Sequence, residues 1–375
     1  MNAQRPAPDA PPARSAVSVR PIVIWFGRVG DMILLTTLLD ILHRRYGNPC
    51  TLIGAGSWTR EIYRTHPDVA QTWVLRRYTV FFLDLAWWRA FWALRRNGTD
   101  PVYICEFDER KLARIRRLLA WSGVDPNRCV FLLEQPAYAE SHWVDRLIAL
   151  SRVTPQALRA SDYPWPSGGR LGPRLAVAAH ERRECDAWIR ERGWSGRPII
   201  LVQPGNRRTM RGRALRVSDD DPKAWPIERW SELLRRVHAR MPSAVILLCG
   251  APRETLLLSW IREATPLEAV VTAEIPLGRL LALCQVAHDM ISVDTGPAHA
   301  AAALGLPLLV LFGALAQSEW GPRSSSGSPV VGVGGPPVSR RLDEISVDTV
   351  YEAWLSLLAQ MEPAQGAHGT QAEAG

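Results

Sequence analysis

At 375 residues, with 47% hydrophobic and 22% charged side chains, the chain has a globular composition and room for two domains, which excludes a fibrous or wholly disordered protein. A formal charge of +8 favours an anionic partner without choosing between phosphate, nucleic acid and acidic lipid. No uncharged run is long enough to span a bilayer, no secretory signal is legible, and the six cysteines lack metal-ligand spacing, so the expected setting is the cytoplasm, with reduced core thiols.

The first twenty residues, rich in Pro, Ala and Arg, read as a solvated tail. Ile22 to Phe26 then predicts a buried strand, Gly27 to Asp31 a glycine-bearing loop, and the next segment an amphipathic helix ending near Gly47. Such a β-loop-α unit is the building block of a parallel sheet. "CTLIGAG" is the next strand, "THPDVAQTWVL" a turn into another and "DPVYICEFDE" a fourth, with alternation continuing to about Leu150. Between them, "FFLDLAWWRAFWALRR" (81–96) is apolar on more than one face, with Phe81, Leu85, Trp88 and Trp92 in one stripe. It reads either as a core helix or as a membrane-facing one, sixteen tryptophans being many for this length.

Turn formers without a sustained period mark 151–173 as the interdomain connection, followed by a charged helix from roughly Leu175 to Arg192. A second alternating series begins at "RPIILVQPG" and continues through "ERWSELLRRVHAR", "AVILLCGAPRE", "LGRLLALCQVA", "DMISVDTGP", "AHAAAALG" and "PLLVLFG". The architecture that follows is two doubly wound, Rossmann-like α/β domains facing across a cleft. In such sheets ligands bind outside the carboxyl ends of the strands.

The loops at those ends carry the chemistry. In "SVDTGPAH", Asp294, Thr295 and Gly296 follow a strand and Pro297 opens a helix, whose first-turn N–H groups and positive dipole end suit a diphosphate. The simpler reading is a helix cap before an Ala-rich packing helix. "QPGN", "KAWP" and "GAPRE" fall at corresponding places.

In the order "PG", "KAWP", "GAPRE" and "DTGPAH", with "AAALGLP" and "LFG" after them and "GRVGDMILLTTLL" before, these motifs resemble glycosyltransferase family 9, the lipopolysaccharide heptosyltransferases, over nearly all of residues 21–360. The resemblance implies a GT-B fold with an acceptor-binding domain (21–165), a linker and connecting helix (166–195), a nucleotide-sugar-binding domain (196–345), and a C-terminal helix (346–361) packing back on the N-terminal domain, between tails at 1–20 and 362–375. It implies inverting transfer of heptose from ADP-heptose to an anionic glycolipid or lipopolysaccharide-core acceptor. No cofactor beyond the nucleotide-sugar co-substrate, no metal and no nucleic acid are expected, and peripheral contact with the inner membrane surface is.

Carried over by residue, Asp31 is the general base, Lys223 the catalytic cation on the phosphates and Glu254 the ribose ligand; Asp294, Thr295, Gly296 and His299 hold the diphosphate and sugar. Gly205 and Thr209 join the donor site, and Gly30 the acceptor site. Apart from the resemblance, "DERKLARIRR" (108–117) sets Arg110, Lys111, Arg114, Arg116 and Arg117 beyond a strand end, spread by helical spacing over much of the circumference. A solvated face is the reading for some of them, and Arg110, Lys111 and Arg114 are expected to meet the anionic acceptor. The chemistry agrees: inversion needs one carboxylate to take the acceptor proton, and a cation to receive the leaving diphosphate. Each residue also has an ordinary role open to it: Asp31 as an N-cap, Lys223 as a solvated lysine, Glu254 as compensation of a helix dipole, His299 as a satisfied structural histidine. The charged stretch 206–222, with Arg207, Arg208, Arg211 and Arg213, is expected to order on ligand binding. A nucleotide-sugar epimerase or hydrolase of the same architecture, or a non-catalytic module for anionic ligands, remains open as an alternative.

Overall fold

The computed structural model describes residues 19–75, 85–96, 99–135, 141–161, 163–169, 171–206, 209–211, 214–215 and 223–362. Its N-terminal unit runs β1 (Ile22–Ile24), α1 (Val29–Tyr46), β2 (Cys50–Ala55), α2 (Ser57–Tyr63), β3 (Val69–Leu75), α3 (Leu85–Arg96), β4 (Val102–Ile104), α4 (Glu109–Trp121), β5 (Cys129–Phe131) and α5 (Trp143–Arg152). The strands form one parallel sheet in the order β3-β2-β1-β4-β5, with Ile22 level with Thr51 on one side and Val102 on the other. Helices cover both faces of such a sheet, so β1, β2 and β4 are buried throughout and read as unbroken apolar runs.

After α6 (Ala179–Glu191) the C-terminal unit runs β6 (Ile199–Gln203), the two-residue strands β7 (Met210–Arg211) and β8 (Ala214–Leu215), α7 (Ile227–Arg240), β9 (Val245–Gly250), α8 (Thr255–Ala264), β10 (Val270–Glu274), α9 (Leu277–Val286), β11 (Asp289–Val293), α10 (Gly296–Ala303), β12 (Leu308–Phe312), α11 (Gln317–Trp320), β13 (Val330–Gly334) and α12 (Val347–Met361). Six of its strands form a second parallel sheet, β10-β9-β6-β11-β12-β13, and β7 pairs antiparallel with β8.

Three apolar clusters hold these layers. One lies beneath α3 and α4 on the outer face of the first sheet. A second joins the outer face of the second sheet to α7, α8 and α12. The third is shared: it runs from Leu35, Leu38 and Leu42 of α1 through Ala298, Ala301 and Ala302 of α10 to Leu201 and Leu247 in the second sheet. All six cysteines are free thiols, five of them buried. Among the described residues no helix is long and apolar enough to cross a membrane.

Several expectations are corrected. Asp31 lies in the first turn of α1 and not in the preceding loop: Arg28 takes the extended N-cap backbone, and the Asp31 carboxylate accepts its N–H at 2.7 Å, drawing the helix start back to Val29. The connecting helix begins at Ala179 instead of Leu175 because the backbone is still extended at Ala178. The C-terminal helix does not pack on the N-terminal domain. It lies on α7, β12 and β13 of its own unit, where Val350, Trp354 and Leu357 are buried and the Trp354 indole donates to Asp289 at 3.1 Å. On α3 the core face is Trp87, Ala90 and Leu94, while Leu85, Trp88 and Trp92 are exposed. Phe81, Arg207, Arg208, Arg213, the side chain of Arg211 and nearly all of both tails lie outside the described residues.

Candidate active site

Each sheet has one place where the chain departs to both sides. In the first, β1 is flanked by β2 and β4; in the second, β6 is flanked by β9 and β11. Loops leaving neighbouring strands at such a point diverge and leave a crevice between them. The start of α1 after β1 carries Asp31, the turn after β4 and the start of α4 carry Glu106 and Lys111, the loop after β6 carries Gly205 and Thr209, and the turn after β11 with the start of α10 carries Asp294 to His299.

The two crevices meet where the N-terminus of α1 packs on that of α10. A Cβ on Gly30 would stand 2.9 Å from Cδ2 of His299, and one on Gly296 would stand 2.7 Å from Cγ1 of Val29, so the two helix starts touch because both positions lack a side chain. His299 is buried here, and burial lowers its pKa to about 4, leaving a neutral ring at pH 7. Its Nδ1 is buried without a hydrogen-bond partner among the described residues.

On the N-terminal side, burial raises the pKa of Asp31 above the usual carboxylate range, against the opposing pull of the Arg28 N–H and of the Arg28 and Lys111 charges. Glu106, wholly buried, organises the surroundings. Its carboxylate accepts the N–H groups of Phe26 (3.2 Å), Phe107 (3.2 Å) and Asp108 (3.1 Å), and Lys111 Nζ donates to it at 3.3 Å. Lys111 also donates to the Phe26 carbonyl at 3.4 Å, which ties the ends of β1 and β4 together beside Asp31.

On the C-terminal side, Lys223 donates to the Asp294 carboxylate in a very short ion pair and to the Asp294 carbonyl at 3.1 Å. Two charges read separately in the sequence thus form one pair. Thr295 stands at the N-cap of α10, yet its hydroxyl turns to the Val293 carbonyl at 3.2 Å and leaves the first turn uncapped by its own side chain. Glu254 is buried beneath Gly205, where a Cβ would lie 2.6 Å from Oε1. Its Oε2 accepts from the Ala251 N–H at 2.8 Å and from Gln203 Nε2 at 3.4 Å, while Oε1 is buried and unpartnered among the described residues. Burial raises the Glu254 pKa.

The structure therefore gathers Gly30, Asp31 and Lys111 with Gly296 and His299 on one side, and Lys223 with Asp294 and Gly205 with Glu254 on the other. Thr209 is buried, its hydroxyl accepting the Asn206 N–H at 2.8 Å, and Arg110 and Arg114 stand exposed on α4. Sequence reasoning passed over Glu106 and Gln203, whose only signal is a polar residue closing an apolar strand run. It also passed over the ring cluster of Trp25, Phe107, Trp143 and Trp320, with Trp143 and Trp320 centroids 4.8 Å apart, which joins the two units beside the site.

Two doubly wound domains whose ligand loops meet at their switch points define a protein of GT-B type. The model of Glycosyltransferase family 9 (heptosyltransferase) matches residues 129–334. That is more than half of the chain, and the chain belongs to this family. Lipopolysaccharide heptosyltransferase 3 of Escherichia coli is 29% identical over 134 residues, which are 35% of this chain and 36% of that protein, so the chain matches little more than a third of this curated relative's length. The glycosyl transferase family 9 structure from Veillonella parvula DSM 2008 superposes with a TM-score of 0.70 at 17% identity, covering 92% of this chain and 99% of the other. E. coli ADP-heptose lps heptosyltransferase II does so with a TM-score of 0.65 at 20% identity, covering 92% and 100%. At these identities the two structures speak for the fold.

Proposed function

We propose that the protein is an inverting glycosyltransferase that moves a sugar, heptose, from an ADP-sugar to a lipopolysaccharide-core or related glycan or lipid acceptor at the cytoplasmic face of the inner membrane. The observation that carries this reading is the contact between the starts of α1 and α10, which sets a raised-pKa carboxylate on one wall of the cleft opposite the Lys223–Asp294 pair and an uncapped helix start on the other. In this reaction the acceptor oxygen attacks the anomeric carbon, Asp31 takes its proton, and the bond from that carbon to the diphosphate oxygen breaks, with ADP leaving. Lys223, held by Asp294, and the first-turn N–H groups of α10 receive the charge that develops on the diphosphate. The unpartnered Oε1 of Glu254 suits a ribose hydroxyl. The choice of ADP as the nucleotide follows the name of the E. coli heptosyltransferase II. No metal is assigned a part in the reaction.

The test is calorimetric titration with ADP, UDP, GDP and CDP, followed by turnover with ADP-heptose. ADP is expected to bind selectively. Asp31→Asn is expected to keep ADP affinity within about twofold and to lose about 10²- to 10⁴-fold in kcat, the usual worth of a positioned general base. In the parent enzyme kcat/KM should rise with pH as Asp31 ionises. No nucleotide binding, or full turnover by Asp31→Asn, overturns the reading.

A further inference from the structure

Among the described residues, four of the ten exposed large hydrophobic side chains stand on α3 and α4. Leu85 (66% exposed), Trp88 (39%) and Trp92 (49%) follow one another at helical spacing along α3, and Trp121 (50%) closes α4. They adjoin through Trp87, whose ring centroid lies 5.1 Å from that of Trp88 and 6.1 Å from that of Trp121. Large apolar side chains in one exposed group mark an interaction surface more often than a solvated one.

Charge decides what the surface meets. The two helices hold eight basic residues and one acidic, against a formal excess of +8 for the whole chain. Lys111 and Arg116 are paired with Glu106 and Glu134. Arg89, Arg95 and Arg96 on α3 and Arg117 on α4 are exposed and frame the tryptophans, and α3 carries no acid. Tryptophan sits favourably at the headgroup level of a bilayer, and a group of arginines is drawn to anionic headgroups. From this charge complementarity we infer that the α3/α4 face docks on an anionic lipid bilayer, with Trp88 and Trp92 entering the interface and the arginines meeting the headgroups, an inference that rests on the proposed placement of the enzyme at the inner membrane and names the face that makes the contact. α4 starts beside the site, with Lys111 near Asp31, so docking would set the mouth of the cleft close to the membrane.

The full chain is sedimented with vesicles of phosphatidylcholine alone and with 30 mol% phosphatidylglycerol, at low and high salt. The expected result is binding to the anionic vesicles only, weakened by salt, and reduced at least tenfold in Trp88→Ser/Trp92→Ser and in Arg89→Ala/Arg95→Ala/Arg96→Ala. Both sets are exposed positions, and circular dichroism and ADP affinity check that the variants remain folded. Arg182→Ala/Arg183→Ala on α6 should bind as the parent does. Equal partition to both vesicle types, binding that survives the tryptophan substitutions, or an equal loss in the α6 variant overturns the inference. So does sedimentation of the parent as a dimer that the tryptophan substitutions dissociate, because the face is then covered by a second copy.

Discussion

Glu254 shows how much a single carboxylate is asked to bear. It is buried with one oxygen unpartnered among the described residues, and burial raises its pKa above the ordinary 4.5. Above pH 4.5 and until the raised native pKa is passed, the native state holds a proton that the unfolded chain releases, so stability falls as pH rises through that range. Glu254→Gln removes the buried charge and keeps an acceptor for the Ala251 N–H. It is expected to raise Tm by a few degrees at pH 7.5, with little change below pH 4, while weakening ADP binding by about tenfold, the order of one hydrogen bond to a charged group. Melting curves across pH beside calorimetry check both halves. Asp31, Lys223, Glu254 and Asp294 drew notice in the sequence because each stands in a motif that resembles glycosyltransferase family 9. Glu106 and Gln203 did not, because each closes an apolar strand whose hydrophobic signal outweighs one polar letter. Nor did the Lys223–Asp294 pair, which joins residues 71 positions apart.

At the scale of elements, the site depends on two helices touching end to end. Gly30→Ala places a methyl group against the buried ring of His299, and Gly296→Val places a branched side chain against Val29. Overpacking of this kind costs about 1–3 kcal/mol. The expectation for Gly296→Val is a larger fall in kcat than in ADP affinity, because the donor loop stays with its own sheet while Asp31 is pushed away from it; steady-state kinetics with calorimetry separates the two. The alternating strands and helices were readable since parallel strands buried on both faces spell continuous apolar runs. Two features escaped. The seven-residue α2 is too short to show a period, and the placement of α12 depends on which apolar face its neighbours offer, a tertiary matter that an amphipathic pattern leaves open.

Across the molecule the two domains are fastened beside the cleft. Arg323 pairs with Asp145 through two bonds of 2.7 and 2.8 Å, Arg146 with Glu319 at 2.9 Å, and His142 with the Gly321 carbonyl at 2.8 Å. His142 Nδ1 accepts the Val144 N–H at the start of α5, so Nε2 carries the proton and the ring is neutral. Burial, reinforced by the Arg323 charge, lowers its pKa to about 4, as burial does for His299. Between pH 6.5 and about 4 the unfolded chain binds protons that the native state refuses, and stability falls as pH falls, by roughly 3 kcal/mol for each ring. Denaturant titrations from pH 7 to 4 should show this steep loss, and His142→Gln should flatten it; an unchanged slope in the variant would remove His142 from the account. The two-domain plan was visible in the sequence as two alternating series, whereas the fastening was not, since its partners lie more than 170 residues apart.

The shared apolar cluster has a bearing on how such an enzyme can change its substrate. Because α1 and α10 are packed into one core, the N-terminal half, to which the proposed function assigns the acceptor, is not a detachable module that can be exchanged like a cartridge. A chimera carrying a foreign acceptor half inherits a foreign α1, and its leucines must interlock with the alanines of α10 before any new loop can be used. New acceptor specificity is therefore reached most readily by altering the loops after β1 and β4 while the leucine face beneath them is kept.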